Sequence, residues 1–218
     1  MKTVKLKQSK NNNTISRYTI IALSILTVLL ISYYVITKAF PMLIVTEENY
    51  GTYFFPRAIW LFPHIVLGII ATIIGPFQFI SKIRNKYLKV HRQLGRVYIF
   101  STILSGISGI SGMYLAVTSD VNLPYAVGLF VLGFAWSVSA IMAFVSIKNK
   151  KIELHKDWMI RSYVITLAFV SFRFLEDILV ALKIGSPEEV LVLASWASWA
   201  IPLFIAEIFI QGLKIKRK

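Results

Sequence analysis

The chain has 218 residues, no cysteine, and 24 Lys and Arg against 10 Asp and Glu, which gives a formal net charge of +14. Without cysteine there is no disulfide, no thiolate metal site, no cysteine nucleophile and no iron–sulfur cluster. Because 56% of the residues are hydrophobic, we expect a membrane protein whose length is used up by apolar helices, with no separate soluble domain.

Six apolar segments are each long enough to cross a bilayer as a helix, although charges interrupt the fifth near one end. They cover residues 18–40, 58–80, 97–117, 124–147, 158–182 and 190–213. Basic tails of residues 1–17 and 214–218 flank this transmembrane domain. The first segment is too long for the core of a signal peptide and no small-residue cleavage site follows it, so we predict a retained helix.

The basic residues alternate between the two sides of this arrangement. Most of them lie in the tails and in the connections around residues 82–96 and 148–161, whereas the other connections carry mainly acids. This pattern predicts an all-α polytopic protein with six transmembrane helices and both termini in the cytoplasm (N-in/C-in). The same asymmetry explains the net charge, so we expect no nucleic-acid partner and expect anionic lipid headgroups at the basic connections.

Ionisable and polar residues inside two predicted helices form the first candidate site. In the fifth helix, Arg173 is followed by Glu176 and Asp177 at i+3 and i+4, the spacing of neighbours on one helix face. In the second helix, His64 and Gln78 share a face, and His64 lies at a depth similar to that of Arg173. Ionisable groups inside a bundle are costly, so this His/Arg/acid cluster is a candidate for binding or moving a small substrate or proton. The alternative is a self-neutralised Arg–acid pair that fixes helix packing.

A rim of basic and His residues at the predicted cytoplasmic ends of the helices is the second candidate site. Its members are His91, Arg92, Arg96, His155 and Arg161. Such side chains can bind a lipid phosphate, a phosphorylated metabolite or a haem propionate. The positive-inside rule alone is the simpler explanation of their position.

Redox chemistry and a structural role are the two alternative functions. A b-type haem in a helical bundle usually takes His ligands, and His91 and His155 could ligate one haem, poorly buried near the headgroups. The other alternative is a structural or assembly factor whose basic rim docks lipid or a partner protein. No His-Glu-x-x-His motif, no carboxylate at ligand spacing and no phosphate-binding Gly-rich loop occurs, so neither a metal site nor an enzymatic activity is favoured.

The third predicted helix carries small residues at four-residue spacing. Ser101, Ser105 and Gly109 form one row, and Ser108 and Gly112 form another. Small residues at this spacing let two helix backbones approach closely. We expect a packing face here, which is also a candidate interface for a homodimer.

Several of these residues also resemble the motifs of a known family. They are His64, Gly68, Gly75-Pro76-Phe77-Gln78-Phe79, the His-Arg-x-x-Gly-Arg-x-Tyr segment at 91–98 and the His-x-x-Trp-Met-Ile-Arg-Ser segment at 155–162. In these motifs the chain resembles domain of unknown function 2306, a bacterial family of predicted multi-pass membrane proteins. The resemblance implies the six-helix arrangement and a bacterial plasma-membrane location, and it implies no particular activity.

Overall fold

The computed structural model describes residues 18–19, 22, 24–117 and 122–215. Within these ranges all regular secondary structure is helical, which confirms the predicted all-α class. The predicted basic tail of residues 1–17 and residues 216–218 of the second predicted tail lie outside the described residues.

Nine helices are named in the described part of the chain. Helix α1 (Ser24–Ala39) ends in a π-helical turn, Val35–Ala39. The others are α2 (Glu47–Phe54), α3 (Ala58–Phe79), α4 (Ser81–Lys86), α5 (Leu88–Val117), α6 (Leu123–Lys148), α7 (Ile152–Thr166), α8 (Ala168–Ala181) and α9 (Pro187–Ile215). Short 3-10 turns at Pro41–Leu43 and Phe55–Arg57 flank α2.

Local sequence explains where several of these helices begin. Asn122 caps α6, because its side-chain oxygen accepts a hydrogen bond from the backbone N–H of Tyr125 at 3.4 Å. Ser186 and Glu189 form a capping box at the start of α9, in which the Ser186 N–H donates to the Glu189 carboxylate at 2.7 Å. Both helices also have a proline in the first turn, where its missing N–H costs nothing.

Two of the predicted helices differ from the structure. The fifth predicted segment, residues 158–182, is two helices, α7 and α8, separated by a turn at Leu167. The third predicted helix begins earlier than residue 97, because α5 starts at Leu88 and includes His91 and Arg96. Hydropathy misses this start because the first two turns of α5 are largely polar.

The helices pack around a small core. Helix α3 packs against α5, α5 against α6, and α6 against α7, while α9 contacts α6, α7 and α8. The buried core residues are Ala71, Tyr98, Trp136, Ala143, Met159 and Ile165. On α5, Ser101, Ser105 and Ser108 are buried within the chain. Ser105 and Ser108 donate hydrogen bonds to backbone oxygens of α3, so this part of the small-residue face packs within the chain. The homodimer stays a prediction with no interface assigned to it.

Large apolar side chains cover the outside of the bundle. On α9, for example, Ile201, Phe204 and Phe209 are all exposed, as expected for a surface that faces lipid. Among the described residues, three helices are long and apolar enough to cross a membrane, at Phe55–Gln78, Leu123–Lys148 and Pro187–Ile215, and a shorter apolar helix covers Ser24–Ala39. Helices α7 and α8 fall outside this group because each is shorter than 18 residues.

Candidate functional site

A cavity of about 320 Å³ lies among helices α1, α3, α5, α6, α7 and α8. We call it the His64 cavity. Its wall is mostly aliphatic and aromatic, and its polar side chains include Lys38, Arg57, His64 and Arg173. The volume lies within the range of about 300–1,000 Å³ that small-molecule sites occupy, and such sites are usually apolar with a few polar groups. The cavity therefore has the size and lining of a binding site.

The imidazole of His64 is fixed against α5. Its Nδ1 lies 2.9 Å from the backbone oxygen of Ser105, and the Ser105 hydroxyl donates to the backbone oxygen of His64 at 2.8 Å. Because a carbonyl oxygen only accepts hydrogen bonds, Nδ1 carries the proton. In the neutral ring, Nε2 is then the nitrogen left as an acceptor or ligand. Gly109 makes room for this contact, since a Cβ there would lie 3.0 Å from Nδ1.

Arg173 and its two following acids do not form one cluster. The Arg173 guanidinium donates to Glu176 at 2.6 Å, one helical turn along α8. Asp177 instead faces α1, where it accepts a hydrogen bond from the Tyr34 hydroxyl at 3.0 Å and lies 3.8 Å from the Lys38 ammonium. Asp177 therefore joins α8 to α1. His64 and Arg173 line the same cavity, whereas neither acid is among its described lining residues.

A buried hydroxyl network lies next to the cavity. The Tyr98 hydroxyl is 2.9 Å from the hydroxyls of both Ser162 and Thr166, and the indole N–H of Trp136 donates to Thr166 at 2.8 Å. Thr166 donates its own proton to the backbone oxygen of Ser162, so Tyr98 donates to Thr166 and accepts from the Ser162 hydroxyl. We call these four side chains the Tyr98 network. Every one of its polar groups is paired, which is the condition for a buried polar network to be stable.

Only a faint signal of the Tyr98 network is present in the sequence. Ser162 and Thr166 are four residues apart on α7, which places two hydroxyls on one helix face. Nothing in the sequence shows that Tyr98, which is fully buried, lies opposite them. Trp136 also reads as an ordinary packing residue from sequence, although it lines the cavity and belongs to the network.

Gln78 belongs to the other end of α3. Fourteen residues separate it from His64, a distance of about 21 Å along the helix axis. Its side-chain oxygen faces Gly95 of α5, where an added Cβ would lie 3.2 Å away, and its amide nitrogen is buried without a hydrogen-bond partner among the described residues. The structure thus does not bring Gln78 together with His64 and Arg173.

We call one end of the bundle the basic end. It holds Gln78, His91, His155, Arg161 and Lys214. Arg161 donates to the Glu207 carboxylate from Nε at 2.8 Å and from a terminal nitrogen at 2.6 Å. Lys214 forms an ion pair with Asp157 at 2.7 Å. These two pairs connect α7 to α9, so Arg161 has a structural partner within the chain.

The remaining rim residues differ in their surroundings. Arg92 and Arg96 are exposed. His155 is fixed through Nδ1, which lies 2.9 Å from the backbone oxygen of Ala143. Burial and repulsion by His155, Arg84 and Arg92 hold the pKa of His91 below its ordinary value of 6.5. The charged form of His91 is thus disfavoured, and the residue lies near His155.

The positions of the His and acidic residues bear on metal and haem binding. Among the described residues, no group of three or more His, Cys, Asp or Glu side chains is placed to hold a metal ion. A haem needs only two axial ligands, and the candidate pair is His91 and His155.

Comparison with known proteins gives a family. No curated protein and no solved structure matches the chain. Residues 61–210, which include the His64 motif and both His segments of the basic end, match the family model described as a predicted membrane protein, DUF2306. Because this match covers most of the sequence, the chain belongs to the DUF2306 family of predicted membrane proteins.

Proposed function

We propose that this protein binds a small substrate in the His64 cavity, as a six-span protein of the bacterial plasma membrane with both termini in the cytoplasm. The observation that supports this proposal is the placement of His64 and Arg173 on the wall of one largely apolar cavity. The six spans are α1, α3, α5 from residue 97 onward, α6, the α7–α8 pair and α9. The positive-inside rule then places the basic end at the cytoplasm and the His64 cavity in the opposite half of the bilayer.

The packing between the cavity and the basic end favours a protein that first binds its substrate and moves it only in a further step. Tyr98, Ala71 and Ala143 are fully buried, and Met159 is nearly so. Together with the paired Tyr98 network, they form a tightly packed layer. A substrate that enters from the outer half of the membrane meets this layer, and it can continue only if the layer opens.

The absence of cysteine allows a direct test of the cavity. Leu129 lines the cavity from α6, whereas the next residue, Phe130, is exposed on the outside of the same helix and is not a lining residue. We expect Leu129→Cys to react with a small hydrophilic methanethiosulfonate reagent, because a wet cavity lets the thiolate form. Phe130→Cys is the matched control and should react much more slowly, because a thiol in lipid stays protonated.

The direction of access tests the orientation. In right-side-out vesicles, a charged reagent should label Leu129→Cys from outside, and in inverted vesicles it should label more slowly. Single cysteines at Asn149 and Ser186, in the connections after α6 and before α9, should be labelled from the inside and the outside respectively. If Leu129→Cys is no more reactive than Phe130→Cys, the proposed binding site is wrong.

A b-type haem at the basic end is the second candidate function. It is supported by the Nδ1 contact of His155 with the Ala143 backbone oxygen, because a metal-bound His usually donates its other ring N–H in this way. Purified protein should then show a Soret band that either His91→Ala or His155→Ala removes. A colourless protein from cells supplied with haem would reject this function.

We further propose that Arg92 and Arg96 contact anionic headgroups at the cytoplasmic surface, since both are exposed next to the predicted spans. The double variant Arg92→Gln/Arg96→Gln should retain less bound phosphatidylglycerol in native mass spectrometry. Equal retention by the variant and the unmodified protein would show that other groups bind the lipid. A homodimer stays an additional proposal, to be tested by the mass of the particle in detergent.

A further inference from the structure

The charged residues on the wall of the His64 cavity all have the same sign. Lys38, Arg57 and Arg173 line it, and no Asp or Glu is among the described lining residues. Ionisable groups inside a bundle are costly and mark candidate sites, and those that line this apolar space are cations. The positive charge of these lining residues therefore indicates a negatively charged ligand.

The acids paired with Arg173 and Lys38 leave donor groups of these two cations unused. Glu176 accepts from one terminal nitrogen of Arg173, while Nε of Arg173 is buried and makes no hydrogen bond to the described residues. A guanidinium has five N–H donors in a planar fork that matches carboxylate and phosphate oxygens. The other ion pair, between Lys38 and Asp177, is long at 3.8 Å, and both side chains are about two-fifths exposed. An anion in the cavity could therefore be bound without breaking the Arg173–Glu176 pair.

The charged residues of the wall lie towards one end of the cavity. Arg57 immediately precedes α3, and His64 lies about 9 Å beyond Ala58, the first residue of that helix. The apolar residues Ile69 and Leu132 line the deeper part, near Trp136 and Thr166 of the Tyr98 network. Such a wall matches a molecule with a charged head and an apolar body.

We propose that the ligand of the His64 cavity is an amphipathic anion, a single apolar chain or ring system with a carboxylate or phosphate head. The head contacts Lys38, Arg57 and Arg173, and the body lies against Ile69 and Leu132. A cavity of about 320 Å³ is near the lower limit for small-molecule sites, which favours one short chain over a two-chain phospholipid. This inference rests on the proposed function and adds the chemical class of the substrate.

Protection of Leu129→Cys from labelling tests the ligand class. The protein is placed in phosphatidylcholine nanodiscs, and labelling is followed with dodecanoate, dodecyl phosphate, dodecanol or dodecyltrimethylammonium present at equal concentration in the bilayer. We expect the two anions to slow labelling and the neutral and cationic probes to leave its rate almost unchanged. A second series in phosphatidylglycerol nanodiscs without added probe tests the membrane itself as the source, because slow labelling there would assign the site to a lipid headgroup.

Charge-balanced variants test the role of the cations. Arg173→Gln/Glu176→Gln removes the cation and its acid together, so no buried acid is left unpaired, and Arg173→Lys keeps the charge as the matched control. We expect the double variant to need at least about tenfold more dodecanoate for the same protection, the loss typical of a hydrogen bond to a charged group. Arg173→Lys should lose much less.

The possible failures of the two proposals are distinct. If Leu129→Cys does not react in the absence of any probe, the binding cavity itself is wrong. If it reacts, and dodecanol protects as well as dodecanoate, the cavity stands and the anionic class is overturned. Unchanged protection of the folded, monodisperse double variant by dodecanoate would also overturn it.

Discussion

The contact between Gly75 and Tyr163 offers a quantitative test of how α3 packs against α7. A Cβ added at Gly75 would lie 2.1 Å from Cε2 and 2.3 Å from Cδ2 of the Tyr163 ring, far inside the usual carbon–carbon separation of about 3.5 Å. The ring cannot move freely, because its hydroxyl donates to the backbone oxygen of Thr72 at 3.4 Å and its centroid lies 5.6 Å from that of the Phe79 ring. Proline at position 76 has no N–H, which leaves the Thr72 oxygen without its helical partner and available to Tyr163. Gly75→Ala must therefore displace Tyr163 or separate the two helices.

The expected magnitude follows from three contributions. Overpacking in a close contact costs about 1–3 kcal/mol. Displacing the ring loses the hydrogen bond to Thr72, at about 1 kcal/mol, and the gain in helix propensity from Gly to Ala is of similar size. The last two contributions cancel, so Gly75→Ala should lower the free energy of unfolding by about 1–3 kcal/mol.

Reversible unfolding in mixed micelles measures this loss. Gly212→Ala in α9 is the control, since an added Cβ there has no atom within 4 Å, and it should leave the stability unchanged or raise it slightly. In a Tyr163→Ala background, Gly75→Ala should cost almost nothing, because the clashing ring is gone. The packing argument is refuted if Gly75→Ala is as stable as Gly212→Ala, or if its loss persists in the Tyr163→Ala background.

Three further predictions concern the polar contacts. Tyr98→Phe leaves the Ser162 hydroxyl without its described partner and removes one of the two bonds that Thr166 accepts, so it should lower the free energy of unfolding by about 1–3 kcal/mol. Tyr163→Phe loses a longer and less buried bond and should cost less; the reverse order would contradict the network. Arg161→Gln and Glu207→Gln should each lower the melting temperature, and the double variant should lose less than the sum; strict additivity would show that the ion pair contributes nothing. The folded pKa of His91 lies below the 6.5 of an unfolded His, so the unfolded chain binds more protons in this range and stability falls as the pH drops below 6.5. His91→Gln should therefore lose less in melting temperature between about pH 7.5 and about pH 5.5 than the unmodified protein, and an unchanged difference would exclude His91 as the titrating group.

The fold class could be read from the sequence because long apolar segments leave helices as the simplest way to pair the backbone. The bounds of α3, α6 and α9 also follow closely from hydropathy, since apolar residues fill these helices from end to end. The turn at Leu167 could not be predicted in this way. No Pro or Gly marks it, and the apolar residues continue across it.

The candidate site was predictable only in part, because spacing on one helix does not determine which neighbouring helix a side chain faces. Glu176 and Asp177 are adjacent in sequence, but Glu176 pairs with Arg173 while Asp177 turns to Tyr34 of α1. Gln78 shares a face of α3 with His64 and yet lies about 21 Å away from it. Depth along the helix axis, more than the shared face, decides which residues form a site.

The packed layer between the His64 cavity and the basic end determines whether the protein can move its substrate as well as bind it. Opening this layer requires the Tyr98 hydroxyl to leave Ser162 and Thr166, both on α7, and α7 ends beside the turn at Leu167, where the helix is already interrupted. A carrier would therefore open by a movement of α7, and loosening the Tyr98 network would ease that movement. In inverted vesicles, Tyr98→Phe should then speed the labelling of Leu129→Cys by a charged reagent, whereas a protein that only binds would show the same slow labelling with and without the substitution.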